Sequence, residues 1–323
     1  MNKSSNSFQV KNTTVAVFPD ERGMGEATAT HIVSLLKKVD FENRIPVLWL
    51  MAAPSAFPFY RAFVEIAKND PKLQSILKRT HFFQFDDYPV SRSHAAFKTT
   101  FRHLLETYFY TPLSAVVGNL EHVNPFELTN DDSENAAIAV NYANRLFQLQ
   151  ADGAYLIQLK GIGMDGHWGF HGAETALDTQ PGIMKVPMNS QNIRQQMLDW
   201  PDDFPTADDV PKYAYTFNVS AFLKADAILD NVPQQTKEYA VLAAYANDSV
   251  FQEIPSSALK NHPHSFSYLT AASAQALLAY RKERILGDTE KKRLMAIWRD
   301  ESDPHAEKLN TQMMTQTLNT VLS

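Results

Sequence analysis

The chain has no cysteine among its 323 residues. Disulfides, a thiolate nucleophile and a cysteine-ligated metal are therefore excluded, and nothing in the sequence points to an oxidising compartment. No apolar run is long enough to span a membrane, and the opening Met-Asn-Lys-Ser-Ser-Asn-Ser lacks the apolar region of a signal peptide. We therefore expect a cytoplasmic protein without a membrane partner.

Positive charge is also scarce. Lysine and arginine number 30 against 36 aspartates and glutamates, which gives a formal net charge of −6. This balance argues against nucleic acid as a partner, although a few local donors would still allow an acidic protein to bind a phosphorylated metabolite. The hydrophobic content of 44% is sufficient for one large α/β domain or two smaller ones.

Short apolar runs alternate with segments of helical periodicity along most of the chain. The strand-like runs are residues 13–18, 45–51, 81–85, 155–159, 213–219, 227–232 and 264–270. The helical segments are residues 26–38, 57–68, 95–109, the stretch after 130–134, 237–245 and 271–280. This alternation predicts βαβ units and hence a Rossmann-like α/β fold, with a doubly wound, mostly parallel sheet and helices on both faces.

Composition suggests where this domain begins and ends. We expect residues 1–12 to form a disordered tail and residues 13–280 to form a single α/β domain. Residues 281–323 are charged and helical in propensity, which indicates a helical C-terminal extension; a solvated helix is favoured slightly over one that packs on a neighbour. Residues 180–206 are polar and contain four prolines, so we predict an irregular flap over the carboxyl edge of the sheet.

The most distinctive segment is the glycine turn, residues 161–170, which follows the strand at 155–159. Its four glycines, among them Gly163 and Gly166, surround Asp165 and His167. Glycine permits positive φ and a close approach to a ligand, and an aspartate two residues from a histidine can orient the ring. Two other interpretations stay open. A dinucleotide fingerprint would need a helix to start after its third glycine, and a purely structural turn would need only a hydrogen-bonded histidine.

Two further turns at strand ends carry unusual residues. Residues 52–55 read Ala-Ala-Pro-Ser, and residues 86–88 read Asp-Asp-Tyr. Because right-handed crossovers place the turns after parallel strands at one edge, we expect these turns to meet the glycine turn there. A carboxylate base and an aspartate-oriented histidine suit proton transfer next to a carbonyl group.

These segments resemble the glucosamine-6-phosphate deaminases. The Phe-Gln-Phe-Asp-Asp-Tyr that ends at Tyr88 is similar to their Phe-Asn-Met-Asp-Glu-Tyr, and the glycine turn resembles their Gly-x-Gly-x-Asp-Gly-His-Ile-Gly/Ala-Phe. Val-Pro-Lys-Tyr-Ala at 210–214 and Pro-Ser-Ser-Ala-Leu-Lys-Asn-His-Pro at 255–263 follow in the same order. The wider superfamily, which also contains 6-phosphogluconolactonases, shares the Asp-Gly-His motif, whereas Phe170 and the 210–214 segment favour the deaminase branch.

The resemblance implies a reaction and its residues. Asp86 would shuttle the substrate proton between C1 and C2, Asp165 and His167 would assist ring opening, and Lys237 would contact the phosphate. The other expected substrate-binding residues are Ala53, Ser55, Asp87, Gly163, Gly166, His171 and Arg194. The implied reaction opens an amino-sugar 6-phosphate, isomerises it through an enol-type intermediate and releases ammonia, without a metal or redox cofactor. The resemblance also suggests a homo-oligomer.

Three departures from the family pattern predict altered or weakened activity. Ala53 and Pro54 replace the two glycines of the family phosphate loop, and proline has no N–H to donate. Gly172 replaces the glutamate that completes the family's ring-opening relay, and His171 is a candidate proton carrier in its place. Arg194 is out of register with the family's phosphate arginine. The alternatives are therefore a lactone hydrolase, or a sugar-phosphate-binding protein with little catalysis.

Overall fold

A computed structural model describes residues 6–296 and 304–323 of the chain. Their strands are β1 (Asn6–Val10), β2 (Thr13–Phe18), β3 (Pro46–Leu50), β4 (His81–Gln84), β5 (Asp86–Asp87), β6 (Val123–Asn124), β7 (Tyr155–Lys160), β8 (Ile183–Pro187), β9 (Tyr213–Phe217), β10 (Ala227–Val232) and β11 (Ser265–Thr270). Their α-helices are α1 (Glu21–Phe41), α2 (Phe57–Lys68), α3 (Pro71–Lys78), α4 (Phe101–Leu105), α5 (Thr111–Val117), α6 (Asp132–Ala151), α7 (Ser190–Asp199), α8 (Val219–Phe222), α9 (Glu238–Tyr245), α10 (Gln275–Glu283), α11 (Asp288–Ala296) and α12 (Pro304–Leu322).

The larger sheet has eight strands in the order β1-β2-β11-β10-β7-β3-β4-β6. Only β1 runs antiparallel to its neighbour; the other six pairings are parallel. The predicted doubly wound, mostly parallel α/β fold is confirmed. Strands β10, β7, β3 and β4 are adjacent in this order, so the segments that follow them share one edge of the sheet.

The central strands are buried on both faces. All residues of β3 and β10 are buried, a pattern typical of parallel strands that helices cover on both sides. Helix α2 begins with a proline in its first turn, where the missing N–H costs no hydrogen bond, and it packs along α1. Among the described helices, none combines the length and apolar character that a membrane crossing needs.

A second sheet of three antiparallel strands, β5-β9-β8, stands beside the carboxyl edge of the first. The prediction of an irregular flap at 180–206 is therefore wrong for β8 and for α7. Asn189 caps α7, because its side-chain oxygen accepts the N–H of Asn192 at 2.8 Å. A short edge strand and a polar helix, both flanked by prolines, leave too little apolar periodicity to be predicted.

The prediction of a disordered tail is wrong for residues 6–12. They form β1, which pairs antiparallel with β2 and buries Val10. The turn between the two strands uses Lys11 at φ 50°, a left-handed conformation that glycine or asparagine usually adopts, so the sequence gives no hairpin signal. Residues 1–5 lie outside the described residues.

The C-terminal extension is helical as predicted, but α12 is not a solvated helix. Met314, Leu318 and Val321 are buried, and the helix packs against α9. The side chain of Asn247 donates to the carbonyl of Val321 at 2.6 Å. Helix α11 is also attached, because Arg293 pairs with Glu238 at the start of α9. Residues 297–303 lie outside the described residues.

Two adjacent methionines test whether α12 belongs to the core. Met314 is 1% exposed and Met313 is 43% exposed. We expect Met314→Ala to lower the free energy of unfolding by about 2–3 kcal/mol, because it leaves a cavity under α12. Met313→Ala removes the same atoms from the solvent side and should change it by less than about 0.5 kcal/mol. Equal effects in urea-unfolding curves would show that α12 does not stabilise the domain.

Candidate active site

A cavity of about 60 Å³ lies at the carboxyl edge of β10, β7, β3 and β4. Each of these four strands supplies part of its lining through the segment that follows it. Six of the predicted site residues line the cavity: Ala53, Ser55, Asp86, Gly163, His167 and Lys237. The three unusual turns therefore converge as expected, and the segment after β10 joins them.

The glycine turn holds His167 against Asp165. The Nδ1 atom of the ring lies 2.7 Å from Oδ1 of Asp165, which also accepts the backbone N–H of His167 at 3.1 Å. Burial acts to raise the pKa of Asp165, but the neighbouring imidazole and these hydrogen bonds outweigh it and lower that pKa. Asp165 stands behind the ring, outside the cavity lining, so the pair directs Nε2 of His167 toward the cavity.

Gly163 is required because the His167 ring occupies the space of a side chain. A Cβ on Gly163 would lie 2.2 Å from the ring. We expect Gly163→Ala to displace His167 and to lower turnover by up to about 10²-fold. Gly182→Ala is the matched control, because a Cβ there meets nothing within 4 Å. Equal kcat/KM for both variants would show that the position of His167 does not limit the reaction.

The 255–263 segment is hydrogen-bonded to the glycine turn. Ser256 accounts for two contacts: its N–H donates to the carbonyl of Gly166 and its hydroxyl donates to the carbonyl of His167, each at 2.9 Å. Gly166 itself has φ 94° and lies outside the cavity lining, where Ile254 leaves no room for a side chain. Gly166 therefore shapes the backbone of the turn, and its predicted contact with substrate stays a prediction.

Asp86 enters the cavity from β5. The pairing of β5 with β9 places Asp86 opposite Thr216, just beyond the end of β4. The side chain is 5% exposed and lines the cavity. Burial, with a smaller contribution from Asp87, raises the pKa of Asp86 well above its usual value. A carboxyl group of this kind holds its proton to a higher pH than an exposed aspartate does, and it can act as an acid or a base.

Asp87 does not line the cavity, and its predicted contact with substrate stays a prediction. Its carboxylate accepts the N–H groups of Tyr88, Phe101 and Arg102, at 2.8, 2.9 and 3.1 Å, and the side chain of Gln84 at 2.9 Å. It therefore anchors the start of α4. Burial raises the pKa of Asp87 to about 6, against the opposing effects of Arg102 and these hydrogen bonds.

The segments after β3 and β10 form the end of the cavity where a phosphate was expected. Ser55 donates its hydroxyl to Oε1 of Gln234 at 2.8 Å, so the two segments are joined. Pro54 supplies no N–H, as the sequence indicated. Lys237 is 2% exposed and reaches the cavity. Burial lowers the pKa of Lys237, while the charges of Asp199 and Asp165 oppose that change.

His171 and Arg194 lie outside the cavity lining, so their predicted contacts with substrate stay predictions. The His171 ring is buried, with Nδ1 accepting the N–H of Val219 and Nε2 bonding the carbonyl of Thr175, both at 3.0 Å. Neither nitrogen remains to carry a substrate proton. Glu174, the acid nearest in sequence to the lost relay glutamate, is exposed and also stands outside the lining.

Helix α7 and the residue that follows it contribute four lining residues that sequence reasoning missed: Gln195, Gln196, Asp199 and Trp200. The side chain of Gln195 accepts the N–H of Met164 at 2.9 Å and so joins α7 to the glycine turn. The cap residue Asn189 was the only signal that a helix starts there. Within residues 6–296 and 304–323, no three acidic or histidine side chains converge as a metal site would require.

Comparison with known proteins gives three informative matches, although no family model matches the chain. A glucosamine-6-phosphate deaminase of Oceanobacillus iheyensis is 22% identical over 242 residues, 75% of this chain and 87% of the relative. The solved structure of a monomeric glucosamine-6-phosphate deaminase has a TM-score of 0.66 at 18% identity and covers 81% of this chain and 98% of its own. A 6-phosphogluconolactonase from Trypanosoma cruzi has a TM-score of 0.62 at 14% identity, over 84% and 99%.

The parallel sheet and the Asp–His pair at its carboxyl edge define a Rossmann-like α/β protein with a site for a small ligand. Within that class, the chain is similar in sequence to the glucosamine-6-phosphate deaminases, and its fold is similar to those of a glucosamine-6-phosphate deaminase and a 6-phosphogluconolactonase. The predicted family resemblance is thus confirmed. Because the identity to both groups of enzymes is low, the shared fold does not establish the reaction, which depends on the side chains in the cavity.

Proposed function

We propose that this protein is a sugar-phosphate isomerase that deaminates an amino-sugar 6-phosphate. The observation that carries the proposal is the placement of Asp86 and His167 on the walls of one cavity. One group is a buried carboxyl with a raised pKa, and the other is an imidazole held by a carboxylate. Two acid–base groups at one small site suit a reaction that moves two different protons.

His167 and Asp165 carry out the first step, ring opening. Nε2 of His167 takes the proton of the anomeric hydroxyl, and the same proton is returned to the ring oxygen as the C1–O5 bond breaks. Asp165 holds the imidazole in the tautomer whose Nε2 is free to accept, and it stabilises the imidazolium that forms. The product is the open-chain aldehyde, so no other reactant is consumed.

Asp86 carries out the second step. Its carboxylate removes the proton from C2 of the open-chain sugar while the ammonium group of the substrate gives a proton to O1, and the product is an enolamine. Asp86 then delivers the proton that it took from C2 to C1, so the carbon–nitrogen bond becomes an iminium at C2. Water adds to C2, its oxygen becomes the ketone oxygen, and the nitrogen leaves as ammonium. Lys237 supplies the positive charge for the phosphate, and the Ser55 hydroxyl is a second donor at the same end.

The test is an assay of the purified protein with glucosamine 6-phosphate that follows ammonia and ketose phosphate together. Stoichiometric release of both supports the proposal, and absence of turnover on every amino-sugar 6-phosphate offered contradicts it. One observation favours a second candidate, a hydrolase of sugar-lactone phosphates: Gly172 removes the relay acid, and the exposed Glu174 does not restore it. Lactone opening without ammonia release would establish that candidate instead.

A further inference from the structure

The phosphate end of the cavity already contains a carboxylate. Asp199 is the last residue of α7 and lines the cavity together with Lys237. The side chain of Gln195 is hydrogen-bonded to Asp199, and the charge of Asp199 also interacts with the imidazole of His167 and the phenol of Tyr88. Lys237 is the charged group that most favours the ionised form of Asp199.

The cavity is small for a ligand-binding site. It holds about 60 Å³, whereas sites for small-molecule ligands usually measure roughly 300–1,000 Å³. Asp199 and Trp200 form part of the wall of this cavity, so both lie next to any ligand that binds beside Lys237.

We propose that Asp199 is a built-in competitor of the substrate phosphate, which occupies the place of an anion beside Lys237 until a ligand displaces it. The identity of the ligand as a sugar phosphate rests on the proposed function; the competition itself does not. Asp199 thereby determines specificity: it weakens binding of every anion at this end, and it penalises a dianion most. A ligand that is neutral at this end meets no such penalty.

The pH dependence of this competition follows from the surroundings of Asp199. Burial raises the pKa of Asp199, and Lys237, Gln195 and His167 oppose that rise. Above this pKa the carboxylate is charged and competes. When the pH falls below this pKa, the carboxyl group of Asp199 becomes neutral. It then no longer repels an anion, so the competition disappears.

The test measures the dissociation constant of inorganic sulfate by titration calorimetry, because sulfate remains a dianion from pH 5 to pH 8. We expect Asp199→Asn to bind sulfate about tenfold more tightly than the wild type at pH 8, and the difference to shrink as the pH is lowered. The gain should vanish when Lys237→Met is added. Asp202→Asn, three residues further on and exposed, is the matched control and should bind as the wild type does.

Asp199→Ser provides a second neutral variant, and thermal unfolding shows whether each variant is folded. A folded Asp199→Asn and a folded Asp199→Ser that bind sulfate no more tightly than the wild type would overturn the proposal. Because the measurement uses sulfate and no turnover, it is independent of the proposed function. Tighter sulfate binding in a protein without deaminase activity would support the competitor and contradict only the reaction.

Discussion

Replacing Asp86 by asparagine is expected to lower turnover of the amino-sugar phosphate by about 10²–10⁴-fold. The asparagine amide has nearly the same shape but cannot take the proton from C2 or return it to C1. Asp86 is buried and lines the cavity, so the effect should appear mainly in kcat, because substrate binding depends on other groups. Steady-state assays of ammonia release, with ligand binding measured separately, test this expectation.

The stability of Asp86→Asn provides the control. Because the folded state raises the pKa of Asp86, the folded protein holds this proton more tightly than the unfolded chain. The ionised carboxylate of Asp86 therefore lowers the free energy of unfolding once the pH rises above the ordinary pKa of an aspartate. The neutral amide of asparagine avoids this loss. Asp86→Asn should be at least as stable as the wild type at neutral pH, whereas Asp87→Asn should be less stable because Asp87 anchors α4.

The same pKa gives a pH profile. As a base, Asp86 acts only when it is ionised, so kcat should rise with pH through its raised pKa. The profile should lose this limb in Asp86→Asn. A limb that remains unchanged in the variant would assign the titration to another group, and retention of more than about a tenth of the wild-type kcat would show that Asp86 is not the base.

Replacing Asp230 by leucine is expected to lower the free energy of unfolding by about 3–5 kcal/mol. Lys160 and Asp230 are both 0% exposed, and Nζ of Lys160 lies 3.3 Å from Oδ1 of Asp230. Tyr245 donates its hydroxyl to Asp230 at 2.7 Å, and the ammonium of Lys160 lies 4.6 Å from the centre of the Trp168 ring. Without Asp230, the ammonium group would be left buried without its counter-charge.

The double variant Lys160→Met/Asp230→Leu separates the charge pair from the packing. It removes both charges and keeps most of the volume, so we expect it to be within about 2 kcal/mol of the wild type. Burial lowers the pKa of Lys160 in the folded protein, so Asp230→Leu should regain stability as the pH rises. If denaturant unfolding shows less than about 1 kcal/mol of loss in the single variant, the pair contributes little to the fold.

The part of the site that the sequence predicts is the part built on the central strands. The segments after β3, β4 and β7 follow apolar runs, and the rules for parallel sheets bring such segments to one edge. Ser55, Asp86 and His167 meet in one cavity for this reason. The fold can be predicted from the alternation of strands and helices alone, without knowledge of individual contacts.

The part that the sequence does not predict depends on contacts between distant segments. His171 resembles a proton carrier in the sequence, but Val219 and Thr175 occupy both of its nitrogens. Asp199 lies on a polar helix between prolines, and only packing brings it beside Lys237. The β1 hairpin turns at Lys11 without a glycine, so its geometry is set by pairing with β2 and not by a turn motif.

The most direct test of the proposed chemistry is proton exchange at the substrate carbon. Fructose 6-phosphate and ammonium, the products of the proposed reaction, are incubated with the protein in deuterium oxide, and the C1 protons are followed by nuclear magnetic resonance. Asp86 should remove a C1 proton in the reverse reaction and replace it with deuterium, so the wild type should exchange one C1 position while Asp86→Asn should exchange none. Absence of exchange in the wild type, or equal exchange in both proteins, would contradict the role of Asp86 as the base at this site.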